Sequence, residues 1–112
     1  MAHSFPTRRS SDLAHGAVGF VSVVGHAAGV QTKAMADAFW AGDTAEALTI
    51  FTRLLPAIDA VMGVENYGAT TAKAALQLLG VLDNRNVRAP LVPLTDDEVA
   101  ALRDGLAASG LL

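Results

Sequence analysis

Lys33 and Lys73 are the chain's only lysines and Tyr67 its only tyrosine. A lysine can form a Schiff base with a carbonyl compound when a desolvated site lowers its pKa. Lys33 reads as a solvated helix position, and Lys73 takes the surface-helix role that is the default for lysine. Tyr67 lies in a loop and is no proton relay. Ser22, His26 and Asp37 have the residue types of a hydrolytic triad, but no Gly-x-Ser-x-Gly elbow surrounds Ser22. His15 and His26 lack metal-ligand spacing, and no acidic residue completes a cluster on one element. Gly16, Gly19 and Gly25 are not followed by the Gly-Lys-Ser/Thr of a phosphate loop. Glu98 and Asp104 face solvent without a partner base. The residues themselves therefore propose no catalytic centre, no metal and no cofactor.

The elements that position these residues are mostly helical. The chain has 112 residues, enough for one small domain. Hydrophobic residues make up 52% and charged residues 17%, so apolar faces exceed what a chain of this length covers easily. The net charge is −3 and the only basic cluster is Arg8-Arg9, which argues against a nucleic-acid surface. Cysteine is absent, which removes disulfides and thiolate chemistry and fits a cytoplasmic location. No apolar run reaches the roughly 18–20 residues of a membrane helix. An exported reading, with cleavage near Ala28, is opposed by Asp12 and by glycines 16, 19 and 25 within the apolar run.

Ala17-Val18-Gly19-Phe20-Val21-Ser22-Val23-Val24 is apolar on both faces apart from Ser22. That pattern predicts a central parallel strand, and the chain encodes no second strand to pair with it. Gly25, His26 and Gly29 are expected to break it. A short helix is predicted over residues 30–41, with Val30, Ala34, Ala38 and Phe39 on its apolar face, Lys33 and Asp37 paired off that face, and Gly42 as the stop. Asp43 and Glu46 have the spacing of a capping box. They open a helix reaching about Met62, with Ala47, Phe51, Leu54, Ile58 and Val61 as its stripe, Leu48 and Leu55 broadening it, and a kink at Pro56. A third helix is predicted over residues 69–79, with Ala72, Ala75, Leu76 and Leu79 inward and Gly80 following. Residues 81–92 read as extended. The last helix opens on Thr95 with Glu98 three residues on, and Leu94 and Val99 form a hydrophobic staple across that cap. Val99, Leu102 and Leu106 face inward. The expected fold class is mainly α, one strand plus four helices.

Several blocks, in order, resemble one family. Gly19-Phe20-Val21-Ser22-Val23 is similar to the Gly-Val-Ile-Ser-Val last barrel strand of dihydrodipicolinate synthases (4-hydroxy-tetrahydrodipicolinate synthases). Phe39-Trp40-Ala41-Gly42-Asp43 resembles the turn between the last barrel helix and the C-terminal helices. Leu54-Leu55-Pro56, Lys73-Ala74-Ala75-Leu76 and Leu79-Gly80 match further blocks, and Val87-Arg88-Ala89-Pro90-Leu91-Val92-Pro93-Leu94-Thr95-Asp96 with Gly110-Leu111-Leu112 matches the family's C-terminus. Actinobacterial members look nearest. Residues 65–71 depart from the family's usual Asn-Pro.

The resemblance implies the last βα unit and the C-terminal helical domain of an α/β TIM barrel. Residues 14–42 would be the last strand and helix, and residues 43–112 the helical domain. It further implies a fragment of a lyase that condenses pyruvate with L-aspartate 4-semialdehyde through a lysine Schiff base in lysine and diaminopimelate biosynthesis. That lysine and the family's proton-relay tyrosine have no counterpart here, so the chain alone is expected to be inactive. Val21 matches the isoleucine that lines the pyruvate site. Pyruvate is the implied partner of the intact parent, with no cofactor, nucleic acid or membrane, and with self-association through exposed apolar faces. The alternative is a free-standing helical protein-interaction module. Ser4-Phe5-Pro6-Thr7-Arg8-Arg9-Ser10-Ser11-Asp12-Leu13 resembles translated sequencing-adapter sequence, so residues 1–13 are expected to be non-native and disordered.

Overall fold

The computed structural model describes residues 13–112. The expectation for residues 1–13 therefore lies outside the described residues except at Leu13, which is helical with Ala14 and buried.

No strand forms among the described residues, which corrects the strand expected over residues 17–24. Residues 17–22 are irregular, and Val18 and Val21 are 91% and 101% exposed. The physical reason is the missing neighbour. A strand exists through bonds to an adjacent strand, so apolar composition alone cannot create one.

Four helices have both ends among the described residues. Helix α1, Gly25–Trp40, is two helical stretches joined across a kink at Ala28, and the longer stretch after the kink begins close to the predicted start at residue 30. Ser22 Oγ accepts the Gly25 amide at 3.1 Å and holds a short first turn in place, so the expected break falls inside the Gly25–Gly29 stretch, at Ala28, rather than before it. Ala28 is non-helical (φ −130°, ψ 36°), and Thr32 Oγ1 donates to the Ala28 carbonyl at 2.6 Å. This kink rotates the inward face. Ala28, Thr32, Met35 and Ala36 are buried, while Val30, predicted inward, is 81% exposed. Lys33 and Asp37 pair on the exposed side, as their spacing predicts. Gly42 turns the chain at φ +87°, a conformation that glycine alone adopts without strain.

Helix α2, Thr44–Met62, starts where Asp43 accepts the Glu46 amide at 3.0 Å and buries Ala47, Leu54, Ala57, Ile58 and Val61. Leu48 is exposed, so the stripe is narrower than predicted. The helix runs through Pro56. Proline removes a backbone donor and crowds the preceding turn. Beside it, the Ala57 amide donates to the buried Ser109 hydroxyl at 2.9 Å, across 52 residues of sequence. Ser109→Ala leaves that amide without its acceptor in a dry place. The expected cost is about 1–3 kcal/mol. A urea melt with an unchanged midpoint would remove this role.

Helix α3, Ala69–Leu78, follows Gly68 at φ +116°. Its inward residues are smaller than the sequence suggests. Thr70, Thr71, Ala74 and Ala75 are fully buried, while Leu76 and Leu79 are half-buried. Both threonines satisfy their hydroxyls locally, Thr70 on the Asn66 carbonyl and Thr71 on Gly68. The irregular connection over residues 79–95 is pinned by Arg85, which reaches the Leu94 carbonyl at 3.0 Å and Asp96 at 2.7 Å.

Helix α4, Asp96–Ala108, carries the expected capping box. Glu98 N donates to Thr95 Oγ1 at 3.2 Å and Thr95 N to Glu98 Oε2 at 2.8 Å. Leu94 is buried at the staple with Val99 packed against the same cluster. Leu102 and Leu106 complete a core shared by α2, α3 and α4 and closed by Val24 and Ala28 at the start of α1.

Candidate functional site

The sequence directs attention to residues 17–26, and the structure places two clefts on either side of them. The first, about 360 Å³, is lined by Gly19, Phe20, Ser22, Gly25, Gly29, Thr32, Lys33, Ala36, Asp37 and Trp40. The second, about 370 Å³ and almost wholly apolar, is lined by Val23, His26, Gly68, Ala69, Ala72, Lys73, Leu76 and Leu82. Val21 lines neither cleft and projects fully into solvent.

The polar groups at this place are occupied structurally. Ser22 Oγ holds the Gly25 amide, the His26 ring Nδ1 lies 3.1 Å from the Val23 carbonyl, and Asp37 holds Lys33. No serine–histidine–aspartate relay is thereby assembled from Ser22, His26 and Asp37. Lys33 is exposed along its side chain (76%), which is not the desolvated setting that activates a lysine. Lys73 stands at the rim of the second cleft with Nζ on the Asn86 carbonyl at 2.9 Å. Tyr67 is 47% exposed. Among the described residues no three histidine or carboxylate side chains gather as they would for a metal, and no helix is long and apolar enough to cross a membrane.

Sequence reasoning missed Thr32 and Trp40 as parts of the first cleft. Trp40 carried a usable signal, since a large aromatic ring next to a helix-ending Ala-Gly is costly to leave in water; the structure leaves it 51% exposed at the cleft. Thr32 carried none, because its role depends on the kink at Ala28.

The arrangement therefore presents an apolar segment outside regular secondary structure, between two shallow clefts, rather than a finished reaction centre. Its class is set by structural comparison. The chain superimposes on a dihydrodipicolinate synthase from Thermotoga maritima with a TM-score of 0.84 at 31% identity, covering 94% of this chain and 35% of that one. Its fold is accordingly that of about a third of a TIM-barrel chain. The profile of the Dihydrodipicolinate synthetase family matches residues 8–109, and the chain belongs to that family. The 4-hydroxy-tetrahydrodipicolinate synthase of Kineococcus radiotolerans is 52% identical over 99 residues, 88% of this chain and 32% of that protein. That of Bifidobacterium animalis subsp. lactis is 41% identical over 100 residues, 89% of this chain and 33% of its own length. The chain thus spans about a third of the length of the curated relatives it matches.

Proposed function

We propose that this chain is the closing third of a lyase of the family, the last βα unit over residues 14–42 and the helical domain over residues 43–112. The intact protein would condense pyruvate with L-aspartate 4-semialdehyde through a lysine Schiff base, in the cytoplasm, in lysine and diaminopimelate biosynthesis. The observation that carries this reading is the family match over residues 8–109 together with a helical arrangement retained at a TM-score of 0.84. Within the intact protein Val21 would contribute to the pyruvate site. Residues at the C-terminal end of a barrel strand are where such sites lie. The exposed position of Val21 leaves it available for that role. Lys33 and Lys73 would keep structural roles, the first on Asp37 and the second on the Asn86 carbonyl.

Two measurements test the reading. The purified chain should show no turnover of pyruvate and L-aspartate 4-semialdehyde in a coupled assay, and turnover above background would overturn it. A chimera in which this chain replaces the matched third of the Kineococcus radiotolerans relative should be active. Val21→Asp in that chimera should raise the KM for pyruvate by roughly tenfold, the scale of about 1.4 kcal/mol of lost binding. An active chimera indifferent to Val21→Asp would remove Val21 from the site.

A further inference from the structure

The second cleft holds about 370 Å³, within the range of roughly 300–1,000 Å³ that small-molecule sites occupy. Its apolar wall is drawn from three places in the chain: Val23 ahead of α1, Ala72 and Leu76 on α3, and Leu82 in the connection that follows. No acidic side chain lines it. Lys73 is the one lysine or arginine in the lining, and its ammonium donates to the Asn86 carbonyl at 2.9 Å. A carbonyl fixes the ammonium in place without neutralising it, and an ammonium carries three donors. Lys33 and Arg85 each hold an aspartate, whereas no carboxylate pairs with Lys73 among the described residues, in a chain whose net charge is −3. His26, also in the lining, turns Nδ1 to the Val23 carbonyl at 3.1 Å. An apolar cleft with one unneutralised cation at its rim has the makings of a site for a molecule with an apolar body and a single negative end.

We propose that this cleft binds an apolar monocarboxylate with a flexible hydrocarbon tail. The carboxylate sits on the Lys73 ammonium and the tail lies along Val23, Ala72, Leu76 and Leu82. A carboxylate on an ammonium makes a charge-assisted hydrogen bond, roughly twice as strong as a neutral one. The charge of Lys73 selects the sign of the head group and repels an alkylammonium. The walls select the tail. They offer no partner to a second charge or to a row of hydroxyls, so a dicarboxylate or a sugar would leave polar groups desolvated and unpaired. The site is independent of the lyase reading, because pyruvate and L-aspartate 4-semialdehyde are short and polar and do not fill an apolar cleft of this size.

The test is titration of octanoate into the full chain labelled with ¹⁵N, followed by amide chemical shifts. Saturable shifts are expected at Ala69, Ala72, Leu76 and Leu82. From hexanoate to octanoate the affinity should rise about fourfold for each added methylene. 1-Octanol, with the same tail and no charge, should bind about tenfold more weakly than octanoate, and octylammonium should not compete. Lys73→Met keeps the apolar stem of the side chain and should cost octanoate about tenfold while leaving 1-octanol unchanged. Lys73→Arg, which retains the cation, should restore octanoate binding. Ala69→Phe, at an exposed position on the edge of the cleft, should fill the space and weaken both ligands. Far-UV circular dichroism should show the variants as helical as the parent, and the head-group series on the parent chain decides the matter without any variant. The proposal is overturned by an absence of saturable shifts, by 1-octanol binding as tightly as octanoate, or by a folded Lys73→Met protein that binds octanoate like the parent. It is equally overturned if two copies of the chain cover the cleft, seen as a dimer on size-exclusion chromatography that octanoate does not displace.

Discussion

Leu106→Ala should destabilise the four-helix core by about 2–5 kcal/mol, the range for a large aliphatic side chain removed from a packed interior. Leu106 is fully buried and sits in one cluster with Leu54, Ala57, Ile58, Val61 and Leu102. Its own carbonyl also accepts the Leu111 amide at 2.9 Å, so the turn after α4 is held to the same point. Surrounding helices cannot close the gap without moving α4 away from Ser109's contact with Ala57. Leu106→Met, which nearly conserves volume, should cost less than about 1.5 kcal/mol. Urea unfolding of the three proteins decides the matter. A midpoint for the alanine variant no lower than that of the methionine variant would mean that Leu106 is not in a close-packed core.

The second large effect is expected at Gly105. A Cβ added there would lie 2.3 Å from the Ala60 Cβ and 2.8 Å from the Pro56 carbonyl oxygen. Neither neighbour is the end of a flexible chain, so α2 and α4 must separate. Forcing atoms into a packed contact costs about 1–3 kcal/mol, and that opposes the gain of about 1 kcal/mol that alanine brings to a helix interior. The net sign for Gly105→Ala is destabilising. Gly105→Leu should reach about 3 kcal/mol, the upper end of the overpacking range. Ala60→Gly combined with Gly105→Ala should recover part of the loss, because it removes the nearer of the two clashes. A Gly105→Ala protein that melts at or above the parent temperature would show that the helices do not approach closely at this point.

What was legible in the sequence was the local part. Asp43, Thr95 and Glu98 announced their helices because capping is a matter of three or four consecutive residues. The stripe Ala47, Leu54, Ile58 and Val61 announced its buried face for the same reason. What failed was non-local. Residues 17–24 were read as a strand from composition, and a strand needs a neighbour that composition does not supply. The pattern over residues 30–41 does not reveal the short turn that the Ser22 hydroxyl holds ahead of it or the Ala28 kink between them. The bond from the Ala57 amide, beside Pro56, to the Ser109 hydroxyl 52 residues on has no local signal. Gly105 did leave a signal, since glycine in mid-helix without a capping role points to a close approach. For the candidate site, the residues suggested no chemistry, and Val21 came only from family resemblance.

The contact between Ala57 and Ser109 also bears on how the molecule is made. A ribosome delivers α2 before α4, so although α1 is already present to pack on α2, the part of α2 that faces α4 and the amide beside Pro56 lack their final partners for the interval. The α1–α2 pair can form as it emerges, but the core over α2 closes only once α4 has emerged. During that wait Leu54, Ile58 and Val61 are open to chaperones and to other nascent chains, the hazard of any architecture whose closing piece arrives last.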